Sequence, residues 1–483
     1  YSEFQALPTQ YLPRCRPGHV LSMSATRVCI TDTCPRASPG GTRRLNGRNR
    51  QSKRGNLARA LTSTTADGIA EWLVANGGEC SAVRAGVGSR GRGLFAARNL
   101  RAGEAIVRIP LKACFTDIAL PDPYPGCPYS VTLAAAILTE RDAGSSSRWA
   151  QYVASLPKEV VGYANCNEAL VADEDVIRAA VGGDDALVHE LQTYALIVIG
   201  SHAAIVATAF GSTGPADWNS RDWIWAMSQV HSRTFRVDLE VPAAYGARVG
   251  NRRDQEQTFR LLAPFADLLD HDSNPNEVCC EWGVERVVGN DVGSDFLNGV
   301  AFVVKASRDI KKGSEAIISY GERSDPHFFM YYGFLLKKNP FNRAPLFRKL
   351  QKGARWCAQL CGHPQENDEV CARERDATVA EIDQDGGDGG VLGIMDGAAK
   401  ATAREAAALQ VGENATVDDR LFRLFHVLSG EEEIAVAAAR TRAAEVLSAM
   451  NKATANRDER SSGAAALAAS FRGRRRALLR GIV

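Results

Sequence analysis

The stretch from Ile317 to Phe334 constrains this chain more than any other, because it joins a strand end, a tight turn and a short aromatic helix. Ile317 and Ile318 are β-branched and lead into Ser319-Tyr320-Gly321, so a strand delivers the Tyr320 hydroxyl to a turn, where polar chemistry usually sits. Asp325 then caps a helix with Pro326 at its first position, and Gly333 suits the left-handed residue that ends one. About two turns remain, with Phe328 and Tyr332 on one face. Alone, two tyrosines around a turn read as core filler. The rest of the chain decides whether they are more.

At 483 residues the chain can hold two or three domains, and its net charge of +2 gives no whole-molecule field that would favour nucleic acid or a membrane. Its twelve cysteines include no CxxC pair. The closest spacings, Cys279-Cys280 and Cys357 to Cys361, fit no usual structural zinc pattern, so reduced, mostly buried thiols and no metal are expected. That usage suits cytosol, nucleus or plastid stroma. The apolar run from Tyr194 to Phe210 nears membrane length, but Gln192, Ser201 and His202 flank or interrupt it, and it reads as a buried core helix.

Residues 1–65 are rich in Arg, Ser, Thr, Pro and Gly and poor in acids, a composition of disorder shared by organelle transit peptides and by plain basic tails. A helix from Asp67 through Val74 ends at Asn76-Gly77-Gly78. Gly86 to Gly91 then matches GxGxxG, the dinucleotide-binding spacing. That motif must open a long crossover helix, whereas here Leu94 to Arg98 reaches a turn at Ala102-Gly103-Glu104 and Ala105 to Pro110 reads as the returning strand. A glycine-rich hairpin is the better account. The pattern is helical over about 130–235, through Trp149 to Pro157 and Trp223 to Phe235, where Arg233 reads on its own as a solvated cation. Leu261 to Asn276 is an apolar run ending in turn-forming residues, and Val300 to Lys305 and Glu315 to Ser319 are two strands joined at Lys312-Gly313. After Pro340 the composition shifts. Gln384 to Gly390 is a flexible loop; Leu421, Leu424, Phe425 and Leu428 mark one helix, and Ile434 to Met450 another. The arginines between Arg472 and Arg480 read as a solvated helix face or a contact for an acidic partner.

Taken in order, several motifs resemble the SET-domain protein methyltransferases, and within them the Rubisco large-subunit lysine methyltransferase-like class. They are Gly91 to Ala96, Trp149 with Tyr152 and Leu156-Pro157, Trp225-Ala226 with Ser232-Arg233, Asp267 to His271, Tyr320-Gly321, Tyr332 to Phe334 and Asn339-Pro340. The resemblance covers roughly residues 67–345. It implies an α+β, SET-like fold over 66–340 with a helical insertion, followed by an all-helical substrate-binding domain over 341–483. It also implies a monomeric protein-lysine methyltransferase that uses S-adenosylmethionine, takes a protein substrate docked partly by the C-terminal helices, and has no nucleic-acid or membrane partner. By resemblance Tyr320 is the catalytic tyrosine, Tyr332 and Phe328 line the substrate channel, and Arg90, Arg92, Gly93, Arg233, Asp267, Asp270, His271 and Tyr320 form the cofactor pocket.

His271 alone reads as a hydrogen-bonded core histidine; the resemblance makes its backbone a contact for adenine. The chain departs from the class at Asp270 and Asp325, where the class has Asn. Two alternatives stay open: a histidine methyltransferase of the same architecture, and an inactive SET module that only binds proteins. The transit-peptide reading of residues 1–65 points to a chloroplast destination, against cytoplasm or nucleus.

Overall fold

The computed structural model describes residues 68–166, 169–170, 172–208, 218–239, 258–287, 296–347, 350–360, 409–412, 417–429, 432–454 and 463–483. The expected disordered segment at 1–65 and the loop at 384–390 lie outside them. Helix α1 (68–75) leads into a hairpin of β1 (Val83–Val87) and β2 (Arg92–Ala96), paired so that Val87 faces Arg92. The Phe95 ring lies over the glycine-rich strand: a Cβ on Gly86 or Gly88 would come within 2.9 Å of it. Those glycines therefore serve a cross-strand aromatic, not a phosphate.

β3 (Ala105–Pro110) sits where the sequence places it but does not return along β2. It pairs with β9 (Val300–Ala306), which also pairs with β8 (Cys280–Arg286). β10 (Glu315–Ile318) follows β9 in sequence but joins the other sheet, ordered β1-β2-β10-β7, where β7 is the two-residue strand Asp270–His271. The turns after β2 and β9 both carry the chain between sheets, and the bridge between Leu100 and Ile310 ties the two crossings together. A third sheet orders β4 (Phe115–Thr116), β6 (Thr258–Leu262) and β5 (Phe235–Asp238).

The helical insertion comprises α2 (Tyr129–Ala143), α3 (Ala150–Ser155), α4 (Glu174–Ala180), α5 (Asp185–Thr208) and α6 (Ser220–Arg233). Asn219 caps α6 by accepting from the Asp222 N–H. Buried Trp223 locks α6 to α5 by donating its indole N–H to the Val198 carbonyl and Ser201 Oγ, both at 3.1 Å. The reading of α5 as a buried core helix needs correction. Leu191, Tyr194, Val198 and Ile205 face the core, but Leu196 is 73% exposed and Ile199 and Val206 about half exposed. One buried face suffices to dock a helix, and the apolar run is longer than that face.

The C-terminal region is helical: α7 (Leu350–Leu360), α8 (Asp419–Ser429), α9 (Glu432–Thr454) and α10 (Gly463–Arg480), with a short ladder of β11 (Arg343–Phe347) and β12 (Leu409–Gly412). Leu421, Leu424 and Phe425 pack with Leu346, Phe347 and Ala439 into a second core. α10 also crosses back to the first. Phe471 stacks on Phe329 at 4.6 Å, Arg472 donates to the Ala180 carbonyl, Arg474 pairs with Asp325 at 2.5 Å and Arg475 pairs with Asp184 at 2.5 Å. Arg472 and Arg475 are buried, so the arginine run is a docking seam rather than a solvated face. The fully charged helix face expected of a solvated tail is broken by Phe471, Leu478 and Leu479 at helical spacing.

Candidate active site

β7 (Asp270–His271) has only two residues, yet it positions the site. It lies parallel to β10, with Asp270 beside Ile317 and His271 beside Ile318, and so brings Asp267 to His271 against the strand that leads into Tyr320. The Tyr320 N–H donates to His271 Nδ1 at 2.9 Å. The proton of a neutral His271 therefore sits on Nε2, which donates to Ser273 Oγ at 3.1 Å. Burial lowers the His271 pKa to about 4, so the ring is uncharged at neutral pH.

The Tyr320 hydroxyl donates to the Leu269 carbonyl at 2.7 Å. Burial, reinforced by the nearby Asp270 carboxyl, pushes its pKa well upward, so it stays protonated and keeps its oxygen lone pairs available as acceptors.

Beyond Gly321 the chain forms an α-turn, Asp325–His327, continued as a π-turn, Phe328–Tyr332. The cap is Ser324, not Asp325, which moves Asp325 into the first turn. A side chain with a partner elsewhere gains more by facing it than by capping, and Asp325 has Arg474. Gly333 ends the helix in the left-handed conformation (φ 73°), its N–H bonded to the Phe328 carbonyl at 2.9 Å. The wider π-turn sets Tyr332 against Tyr320, ring centroids 5.1 Å apart. His271 stacks on the other neighbours, 4.9 Å from Tyr320 and 4.8 Å from Phe328. Tyr320 and Tyr332 are half-buried, whereas Phe328 is fully buried and backs His271 instead of lining an open wall.

A charged cluster gathers around Asp267, near enough to act on Tyr320. Arg233, at the end of α6, donates to the backbone and side chain of Asp267 at 3.0 and 3.3 Å, and Tyr152 donates to the same carboxylate at 3.0 Å. Asp267 is thus committed to holding Arg233, while the Arg233 Nε is buried with no partner. Arg92 donates to the Ser155 carbonyl at 2.8 Å, and burial lowers its pKa, followed by repulsion from Arg233. Arg90 spans Asp272 at 2.6 Å and Glu315 at 3.2 Å, so its guanidinium is already matched by acids.

Gly93 is required by what faces it: a Cβ there would lie 2.7 Å from Glu315 Oε1 and 3.0 Å from Asp270 Oδ2. Those two oxygens are buried and unpartnered. Burial, then the neighbouring Glu315 carboxyl, raises the Asp270 pKa to about 7.

The residues expected from the sequence lie around Tyr320, with Arg90 and Asp267 tied to protein partners and Phe328 behind His271 rather than on the channel wall. The sequence reading missed Glu315, Ser273 and the Leu269 carbonyl. Phe265, just before the site, holds a positive φ (75°) without being glycine, a strain of about 1–3 kcal/mol of the kind found at functional turns.

A family model for the SET domain matches residues 91–321. Among curated proteins, the chain is 27% identical over 283 residues to the actin-histidine N-methyltransferase of Danio rerio, covering 55% of this chain and 41% of that protein. It is 24% identical over 269 residues to SET domain-containing protein 4 of Mus musculus, covering 53% and 55%. The matches thus span about half the length of these relatives. Among solved structures, the SET domain of LSMT bound to lysine and AdoHcy has a TM-score of 0.56 at 16% identity, covering 87% of this chain and 90% of that one. Rubisco LSMT bound to AdoMet has a TM-score of 0.53 at 15% identity, covering 86% and 90%. These likenesses establish the fold. The residues that match the SET-domain model hold β2, the β7–β10 pairing and Tyr320.

Proposed function

We propose that the chain is an S-adenosylmethionine-dependent protein methyltransferase acting on a lysine side chain. The observation that carries this is the setting of Tyr320: a protonated hydroxyl held by the Leu269 carbonyl, its ring against Tyr332, at the border between an aromatic wall and a pocket of unpartnered polar atoms. The pocket fits the cofactor chemically. Asp270 Oδ2 suits the ammonium of its methionine end, the buried Arg233 Nε suits the carboxylate, and the backbone beside neutral His271 suits a base edge. When bound, the cofactor supplies an electrophilic methyl on a sulfonium.

The chain's own part is to bind, desolvate and orient. Tyr320, kept protonated, is no general base; its oxygen accepts weak contacts along the methyl path and fixes the line of approach. The aromatic faces of Tyr320 and Tyr332 receive the target's aliphatic stem and disfavour its charged ammonium, which promotes loss of the proton to solvent before transfer. The helical C-terminal region offers a surface for the substrate protein beside this channel.

A histidine target is the second reading, favoured by the relatives named actin-histidine N-methyltransferase. Incubating the purified chain with a lysate and isotopically labelled S-adenosylmethionine, then locating the label by mass spectrometry, tests both. Label on lysine supports the first reading and label on histidine the second; cofactor binding with no labelled protein supports a binding module. The composition of residues 1–65 supports a plastid destination, which a fluorescent fusion of those residues tests.

A further inference from the structure

Two buried carboxyl oxygens without partners, Asp270 Oδ2 and Glu315 Oε1, converge on Gly93 from different strands of one sheet. Like charges placed so close in a half-buried site cannot both ionise without a cation between them. The surrounding cations do not fill that place. Arg90 reaches only the other oxygen of Glu315, and it is shared with Asp272. Arg233 is committed to Asp267, and Arg92 to the Ser155 carbonyl.

We infer that Asp270 and Glu315 together form the seat for the cofactor's ammonium, that in the ligand-free protein the pair holds one proton in the cation's place, and that binding expels this proton to solvent. The inference rests on the methyltransferase reading and adds Glu315 as a binding residue. It also supplies a reason for the acid at position 270: one carboxyl alone would need only the ammonium, whereas two need either the ammonium or a proton.

Asp270 is pushed up to about 7 by burial first and Glu315 second, against Arg90 and Arg233, which lower it. Other groups on the packed elements are separable from it. His271 is neutral around that value, and Tyr320 is protonated. Asp272, lowered by its backbone hydrogen bond and Arg90 against the opposing effect of burial, is ionised. Cys279 needs a control. Its sulfur accepts from the Ile317 N–H, two residues beyond Glu315, and contact with Cys280 lowers its pKa to about 6.

Calorimetric titration of S-adenosylmethionine into the full chain, in buffers of different ionisation enthalpy, counts the protons directly. Binding should release roughly one proton at pH 6 and almost none at pH 8, and should be about tenfold weaker at pH 6 than at pH 8. Glu315→Gln and Asp270→Asn should each abolish the release and flatten the pH dependence, while Cys279→Ala should retain both; thermal melts confirm that each variant is folded. 5′-Methylthioadenosine, which lacks the ammonium, should bind without proton release. Tighter binding at pH 6 with proton uptake would mean that protonated Asp270 donates as an amide would, and would overturn the inference. So would pH-independent binding, or release that survives Glu315→Gln and disappears in Cys279→Ala. No binding of either ligand at any pH would instead remove the methyltransferase reading itself.

Discussion

Asp270 and Asp325 are both acids where the lysine methyltransferase-like class has Asn, and the two sites treat the added charge in opposite ways. Asp325 is 2% exposed and fully matched: Arg474 Nε donates to Oδ2 at 2.5 Å, and Asn339 donates to Oδ1 at 2.9 Å. Arg474 also donates to the Leu336 carbonyl. Asp270 faces another carboxyl and leaves Oδ2 without a partner. A buried charge matched within the chain belongs to the scaffold; one left unmatched in a pocket is a place for a ligand.

The largest effect expected from breaking this contrast is on the scaffold side. Arg474→Ala removes the ion-pair partner of buried Asp325, and should destabilise the fold by about 3–5 kcal/mol, read as a lowered midpoint in urea. The paired change Asp325→Asn with Arg474→Met should recover most of the loss. A single variant within 1 kcal/mol of wild type would show that the pair is not holding α10 in place. The same geometry means that cutting the chain after Pro340 removes both Arg474 and Phe471 from the turn that carries Tyr332. Such a truncation tests folding as much as substrate docking, so the C-terminal region is not a freely separable module.

Next in size is Tyr320→Phe, which should slow methyl transfer by about 10²-fold or more with cofactor affinity changed less than threefold, because the hydroxyl is held at the channel and not by a charged group. Single-turnover rates alongside calorimetry separate the two quantities. A variant with wild-type turnover removes Tyr320 from the chemistry. One that loses cofactor binding moves the tyrosine to the Asp270 side of the comparison.

Asp270→Asn should act with the opposite sign to Arg474→Ala and with a smaller size. Folding of the ligand-free chain takes up a proton on Asp270 between its ordinary value of 3.8 and about 7, so stability falls as pH rises through that window and is constant above it. Asn lacks that penalty. After discounting for solvent around the half-buried pair, it should stabilise the ligand-free protein by about 1–2 kcal/mol at pH 8 and by almost nothing at pH 4. Urea unfolding at the two pH values checks the difference; equal effects at both would mean that Asp270 does not titrate as the neighbouring Glu315 requires.

Much of this site was legible in the sequence because its parts are local. The strand leading into Tyr320, the aromatic turn and Gly333 are neighbours in the chain, and propensity and spacing alone place them. What escaped depends on distant segments meeting. β7 is two residues long and carries no periodicity, so its pairing with β10 could not be read. Glu315 acquires meaning only when β2 lies between β1 and β10 and brings Gly93 over it. Arg474 meets Asp325 across 149 residues. Its helix did offer a signal, since Phe471, Arg475 and Leu478 fall at helical spacing on one face, but the density of arginines masked it.

The smallest expected effect tests how far an unpartnered buried atom can be trusted as a sign of a ligand. Ser324 is 3% exposed and its hydroxyl has no partner, although it sits at the cap of the aromatic turn, where a hydroxyl commonly bonds a free N–H. Its backbone carbonyl accepts from the Phe328 N–H, so the helix start is secured without the side chain. Removing a buried hydroxyl that bonds nothing relieves its desolvation cost and leaves a void only the size of one oxygen. Ser324→Ala should therefore lie within about 0.5 kcal/mol of wild type or slightly above it. An isolated hydroxyl is then a tolerated imperfection, whereas Asp270 and Glu315 present two ionisable oxygens to one point, and it is that convergence that marks a site. A loss above about 1 kcal/mol in the alanine variant would reveal a partner, such as ordered water, at Ser324. Water could then satisfy the carboxyl pair as well, and the contrast between Asp270 and Asp325 would lose its force.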